Sequence, residues 1–126
     1  MKKCFLTQNG PRAIGPYSTA CICGGMCYLS GMIGIQPETG ALAEGGVEAQ
    51  ARQAMENMRT VLDEMGLQME NVVKTTVFLA DLNDFGMVNQ IYADCFGPDY
   101  PARSCVEVSR LPMGALVEIE AIIEAG

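Results

Sequence analysis

The sequence predicts an α+β fold in which two helices cover one face of a mainly antiparallel sheet. Two amphipathic helical segments are flanked and separated by short segments with the alternating pattern of strands. Their order along the chain is β-β-β-α-β-α-β-β, which is typical of layered α+β domains. With 126 residues, the chain is long enough for one ordinary core, and we expect a single domain over 1–126.

The first part of the chain predicts three strands. A loop punctuated by Gly and Pro covers 9–17, and the pair Gly24-Gly25 is a typical hairpin turn between the second and third strands. A further turn at 36–40 follows the third strand. The predicted strands are 3–7, 18–23 and 26–35.

The second part of the chain predicts both helices and the remaining strands. Over 47–65, apolar residues recur at helical spacing, and Gly66 can end the helix. A second helix is predicted over 84–96, with Gly97-Pro98 ending it. Alternating or β-branched segments predict strands at 72–80, 101–108 and 116–124.

Composition excludes several classes of function. The 15 acidic and eight basic residues give a net charge of −7, which makes nucleic acid and anionic membranes unfavourable partners. Because His is absent, the chain cannot form a Ser-His-Asp or Cys-His nucleophile pair, or a zinc site that relies on imidazole. A small anion would have to be captured by one or two well-placed cations.

The N-terminus and the cysteines indicate a cytoplasmic protein. The apolar run after Lys2 and Lys3 covers only 4–6, which is too short for a secretory signal, and no segment is long enough to span a bilayer. The six cysteines are therefore expected to be reduced thiols. For the C-x-C-x3-C group at 21–27, core thiols are favoured over a metal site, because the spacing is not that of known zinc ribbons.

The third predicted strand is apolar on both faces, although two helices can cover only one face of a sheet. Burying one Leu or Ile side chain stabilises a fold by roughly 1.5–3 kcal/mol, so an uncovered sheet face would be costly. We therefore expect a homo-oligomer in which another subunit covers that face.

Arg103 is the most unusual residue of the predicted strands. Strand periodicity places Arg103, Cys105 and Glu107 on one side and the intervening residues on the other. A guanidinium in an apolar setting needs an anion, because burying it unpaired is expensive. Either Arg103 forms an ion pair between subunits with a carboxylate such as Glu107 or Glu118, or it binds an anion from outside.

Several motifs together resemble one family. The segments that carry the resemblance are Gly15-Pro16-Tyr17, Leu29-Ser30-Gly31, 74–78, 81–85, 101–108 and 117–121. In these segments, over nearly its whole length, the chain resembles the Rid family (reactive intermediate deaminase, also called YjgF/UK114), in its RidA branch.

The resemblance implies a chorismate-mutase-like (YjgF-type) α+β fold that forms a homotrimer with clefts between subunits. It implies hydrolytic deamination of unstable 2-enamine and 2-imine acids to 2-keto acids and ammonia. No cofactor or metal is implied, and the expected partners are the small imine or keto acid and further copies of the chain.

The resemblance also assigns roles to individual residues. Arg103 matches the residue that grips the substrate carboxylate, and Glu118 matches the one that orients the attacking water. Met113 stands where many members carry Lys, and it is expected to lie away from the cleft. The implied ligand contacts are Tyr17, Ser30, Asn89 and Cys105, together with the backbone at Gly31.

Two of these assignments have alternatives. Glu118 and Glu120 share one face of the last strand, so periodicity cannot separate them, and the choice of Glu118 rests on the resemblance. Cys105 could be a nucleophile, but without His only Arg103 could activate it, and a small apolar wall residue is favoured.

The function also has alternatives. A non-catalytic 2-keto-acid-binding regulatory module could use the same Arg103 pocket, and the two functions would differ in whether a water is placed against a bound imine. An RNA-cleaving protein is a third alternative, which the acidic charge and the absence of His disfavour.

Overall fold

The computed structural model describes residues 1–126 and confirms the predicted order of elements. Short 3₁₀ turns lie at Met69–Asn71, Leu82–Asp84 and Pro112–Gly114. None of the helices is long and apolar enough to cross a membrane. The elements are β1 (Lys3–Phe5), β2 (Ala20–Cys23), β3 (Met26–Ile33), α1 (Gly46–Glu64), β4 (Val72–Leu79), α2 (Phe85–Phe96), β5 (Ala102–Glu107) and β6 (Val117–Glu124).

The strands form one six-stranded sheet in the order β1-β2-β3-β6-β4-β5. Every neighbouring pair is antiparallel except β4 and β5, which are parallel and are joined through α2. Helix α1 packs on β3 and β6, and α2 packs beside α1. Side chains of α2 reach β4 and β5. The prediction of a mainly antiparallel sheet with both helices on one face is confirmed.

Alternation divides each strand between the two faces of the sheet. On β6, the four odd-numbered residues from Val117 to Ile123 are buried beneath the helices, and Glu118 and Glu120 point the other way. We call the face without helices the open face. Apolar side chains remain uncovered there, with Tyr28 of β3 48% exposed and Val106 of β5 44% exposed.

Strand β3 is shorter than predicted because the chain turns against α1. Gly34 lies so close to this helix that a Cβ atom would be 2.5 Å from the carbonyl oxygen of Gln50. The Asn57 side chain, only 1% exposed, donates hydrogen bonds to the carbonyl oxygens of Ile33 (3.0 Å) and Ile35 (2.8 Å). The two carbonyl groups, which lie where the chain leaves the sheet, thereby receive their hydrogen bonds from a helix side chain.

Replacing Asn57 with Ala should leave both carbonyl groups without their donor. We expect the free energy of unfolding to fall by about 2–4 kcal/mol, measured by urea denaturation at fixed protein concentration. Gln53→Ala is the control, because Gln53 is partly exposed and only donates to the Asn57 side-chain oxygen at 2.8 Å. Equal losses in the two variants would contradict a special role for the bonds to Ile33 and Ile35.

Candidate active site

A pocket of about 440 Å³ opens beside β3 and β6. Its walls are the loop 11–17, the middle of β3, the turn at Pro112–Gly114 and one side chain of β6. We call it the loop pocket. Four of the predicted site residues line it, namely Tyr17, Ser30, Gly31 and Glu118.

A β-bulge shapes the floor of the loop pocket. Leu29 pairs with Ala121 and Met32 with Ile119, so two residues of β3, Ser30 and Gly31, stand against one residue of β6. An extra residue of this kind bends a strand and redirects its side chains, and bulges are frequent beside functional sites.

Ser30 fixes the bulge to the end of the loop. Its hydroxyl donates to the carbonyl oxygen of Ser18 at 2.7 Å, and its backbone N–H donates to the carbonyl oxygen of Thr19 at 2.9 Å. The Ser30 hydroxyl oxygen can still accept a hydrogen bond from a ligand.

Glu118 lies directly over Gly31. A Cβ atom at position 31 would overlap the Glu118 carboxylate, so the absence of a side chain is what admits this carboxylate to the pocket. Glu118 is half-buried, and this burial, followed by repulsion from the Glu120 carboxylate, raises the pKa of Glu118. Glu120 is exposed in a separate depression beside Tyr28 and Lys74. The structure thus separates two glutamates that periodicity could not.

The loop that carries Tyr17 is anchored at its base. Strand β1 ends at Phe5 and not at residue 7 as predicted, because Thr7 forms hydrogen bonds with the side chains of Thr19 and Glu64. The carboxylate of Glu64 accepts hydrogen bonds from the Thr7 hydroxyl and from backbone N–H groups of the next two residues, at 2.9 and 3.2 Å. Burial alone would raise the pKa of Glu64, but these hydrogen bonds outweigh it and lower the pKa.

Tyr17 lies at the other end of the loop and is half exposed. Its hydroxyl accepts a long hydrogen bond, 3.4 Å, from the backbone N–H of Ile14. The ring borders the loop pocket, so it is free to contact a ligand there.

The second cluster of predicted residues surrounds Arg103. One guanidinium nitrogen, Nη1, donates to Oδ1 of Asn89 at 2.7 Å. The guanidinium carbon lies 4.8 Å from the ring centroid of Tyr92 and 5.4 Å from that of Phe85, distances at which a cation is attracted to an aromatic face. The Tyr92 hydroxyl is itself fixed by a buried 2.6 Å hydrogen bond with Thr75.

Arg103 has no carboxylate partner within the chain. The only ion pair is between Arg52 and Glu48 on the surface of α1. Glu107, which shares the side of Arg103 on β5, accepts a hydrogen bond from the backbone N–H of Leu82 at 2.8 Å. The remaining N–H groups of the guanidinium have no acceptor in the chain and can bind an external anion.

Cys105 lies one pleat beyond Arg103 and packs partly against the core. Burial raises the pKa of the Cys105 thiol, and the nearby Arg103 charge only partly offsets this effect. A protonated thiol is a poor nucleophile, so the geometry favours the wall residue over the nucleophile.

One chain does not bring the two clusters together. Arg103 pairs with Thr75 on the face covered by helices, whereas Glu118 pairs with Phe78 and points to the open face. Strand β4 separates their strands, which places β5 and β6 about 10 Å apart in addition to the difference of face. Each chain therefore carries two separate clusters of predicted site residues, which we call the half-sites.

Sequence reasoning missed two residues of the loop pocket. Met113 was expected to lie away from the cleft, but it lines the pocket, so that expectation is wrong. Its φ of 60° and ψ of 18° put it in the left-handed region and turn the chain toward the pocket. Arg12 also borders the pocket, and a cation within the Gly- and Pro-rich loop was the signal that could have identified it.

The cysteines at 21, 23 and 27 do not form a metal-binding cluster. No group of three or more Cys, Asp or Glu side chains in the chain is arranged to hold a metal ion. All six cysteines are free thiols, and Cys27 is buried in the core.

Comparison with known proteins links this geometry to one family. The family model described as Endoribonuclease L-PSP matches residues 7–125. A 2-iminobutanoate/2-iminopropanoate deaminase of Salmonella typhimurium is 50% identical over 97% of each chain. A crystal structure of a conserved Rid family protein, YyfA, from Yersinia pestis is 50% identical, with a TM-score of 0.94 over 98% of this chain and 99% of that one. The structure of E. coli TdcF with bound serine is 41% identical, with a TM-score of 0.90 over 98% and 99% of the two chains.

The raised pKa of Glu118 predicts how the melting temperature depends on pH. A carboxyl group with a higher pKa in the folded than in the unfolded state binds protons more tightly when folded, so its ionisation destabilises the protein as the pH rises. Glu118→Gln should therefore raise the melting temperature at pH 7, and the gain should shrink as the pH falls toward about 4. Glu120→Gln is the matched control and should change the melting temperature less. A lower melting temperature for Glu118→Gln at pH 7 would contradict the assigned cause.

Proposed function

The chain belongs to the Rid family, and from this premise we propose that it is a hydrolase of reactive 2-imino acids. Its substrates are 2-iminopropanoate and 2-iminobutanoate with their enamine tautomers, and its products are the 2-keto acids and ammonia. The names of relatives that are 45–50% identical over most of the chain support this reaction.

The observation that carries the proposal is the guanidinium of Arg103. It is preorganised by Asn89 and two aromatic rings, and its unused donors match the two oxygens of a carboxylate. A monocarboxylate is the group that all the proposed substrates share. The relative solved with bound serine is consistent with this choice, because serine carries such a carboxylate.

Glu118 supplies the acid–base chemistry. An imine carbon is already electrophilic, so hydrolysis needs a positioned water and a route for its proton. The Glu118 carboxylate accepts a proton as the water oxygen attacks the carbon, and it delivers this proton to the imine nitrogen to give a carbinolamine. It then takes the proton of the new hydroxyl as the C=O bond forms, and passes it to nitrogen as the C–N bond breaks and ammonia leaves. A raised pKa suits a carboxyl group that must both accept and release a proton.

The complete site forms between subunits of a homotrimer. Because Arg103 and Glu118 lie on opposite faces of one sheet, a cleft that contains both takes Arg103 from one subunit and Glu118 from its neighbour. The same contact covers apolar side chains that the open face leaves exposed near these residues, such as Val106 of β5. A cytoplasmic location accords with six unpaired thiols.

The charge of the chain favours this activity over cleavage of RNA. The matching family model is named for an endoribonuclease, but a net charge of −7 repels a polyanion and the chain has no His for acid–base catalysis. Binding of a 2-keto acid without turnover is the remaining alternative. It would use Arg103 in the same way, so only an activity measurement separates it.

Loss of the guanidinium should nearly abolish turnover. In an assay that couples threonine dehydratase to keto-acid detection, the wild type should release 2-keto acid faster than the spontaneous rate. Arg103→Ala should lower kcat/KM by about 100-fold, since a hydrogen-bonded charge pair contributes roughly 1.5–3 kcal/mol. Arg52→Ala, on the exposed surface of α1, is the matched control and should be unchanged. If the wild-type protein bound 2-keto acid but did not raise its release above the spontaneous rate, the result would favour the binding module.

Mixing two inactive variants tests whether the cleft is shared. Arg103→Ala and Glu118→Gln should each be inactive alone. After joint unfolding and refolding in equal amounts, about a quarter of the clefts should contain both native residues, and activity should return to about that fraction. If both residues acted within one chain, mixing would restore nothing. Refolded wild-type protein controls for recovery, and analytical ultracentrifugation should give the mass of three chains.

A further inference from the structure

Two cysteines that line neither half-site face each other at the edge of the sheet. The register of β1 against β2 places Cys4 directly opposite Cys21, and their sulfur atoms are 3.8 Å apart. Both side chains lie on the open face, since Cys21 pairs in turn with the exposed Tyr28. Cys4 is exposed, Cys21 is half-buried, and both are free thiols.

This placement satisfies the geometry of a disulfide. Directly opposed residues of an antiparallel pair have Cα atoms about 4.5–5.5 Å apart, within the range that a disulfide bridges. Closing the sulfur atoms from 3.8 Å to bonding distance requires side-chain rotation without a shift of register. We propose that Cys4 and Cys21 form a dithiol that hydroperoxides oxidise to an intrachain disulfide, which ties together the two ends of the loop that walls the loop pocket.

The surroundings assign different roles to the two sulfur atoms. Hydrogen bonds from the Ser18 hydroxyl and the Cys21 thiol, with help from the charge of Lys2, lower the pKa of Cys4. The same interaction with Cys4, together with burial, raises the pKa of Cys21. Cys4 is therefore the thiolate that attacks, and Cys21 is the thiol that resolves.

The reaction balances with a hydroperoxide as the only oxidant. The Cys4 thiolate attacks one peroxide oxygen, an S–O bond forms, the O–O bond breaks, and the departing alkoxide takes a proton to become an alcohol or water. Cys21 then gives up its proton and attacks the Cys4 sulfur, so that the S–S bond forms and hydroxide leaves as water. Two thiols lose two electrons, and the peroxide gains them.

The disulfide would act on the loop pocket through the chain. β1 is a three-residue edge strand, and the loop that follows it carries Arg12 and Tyr17 before the chain returns as β2. A bond between Cys4 and Cys21 closes this segment covalently at its base. Opening of β1 from the sheet would no longer release the loop.

Peptide mapping tests the bond. Reduced protein is treated with hydrogen peroxide, the remaining thiols are alkylated, and the protein is digested with trypsin, which cuts after Arg12 and so separates Cys4 (in 4–12) from Cys21 (in 13–52). We expect these two peptides to be linked within one chain and to separate on reduction. Cys4→Ser and Cys21→Ser should abolish the link. Cys23→Ser should keep it, because the exposed Cys23 lies opposite Met26 instead.

The proposed disulfide would be overturned if the oxidised wild type contained only free thiols. It would also be overturned if Cys23→Ser lost the link, or if the link joined two chains. The effect of the disulfide on the loop is measured separately, by proteolysis of the native protein. Cleavage after Arg12 by dilute trypsin should be several-fold slower in the oxidised than in the reduced state. Equal rates would overturn the effect on the loop.

Discussion

A sheet with helices on one face only imposes the main constraint on this molecule. Alternation along the strands sends each functional side chain to one face or the other, and it sends Arg103 and Glu118 to opposite ones. The face covered by helices holds the guanidinium of Arg103 against aromatic rings, and the open face holds the carboxylate of Glu118 in the loop pocket. The proposed association of chains would bury apolar side chains of the open face, and it would also bring the two half-sites together.

The electrostatics of the two half-sites explain how an acidic chain could bind an acid. Net repulsion acts at long range and is screened by salt, whereas the Arg103 guanidinium, which lies against the rings of Phe85 and Tyr92, acts at contact. Glu118 is opposite in character, because burial makes its charged form costly. One half-site thus holds a fixed charge, and in the proposed mechanism the other accepts and returns a proton.

The sequence predicted the elements well because local patterns determine them. The helices and the alternating burial of β6 follow from periodicity, and Arg103 stood out as a cation on an apolar strand. The ends of β1 and β3 were not predictable, because each depends on a distant partner: Glu64 for the first loop and Asn57 for the end of β3. Glu118 could be preferred over Glu120 only by resemblance, until the contact with Gly31 separated them.

The way the first loop is held has a consequence for divergence among related chains. Glu64 on α1 binds the loop only at 7–9, and the residues that border the loop pocket lie beyond that clamp. Substitutions at the loop tip can therefore alter which side chains the pocket admits while the clamp and the sheet stay unchanged. The residues that border the loop pocket and the residues that hold the loop thus lie in separate parts of one short segment, so selection can change the first with little effect on the second.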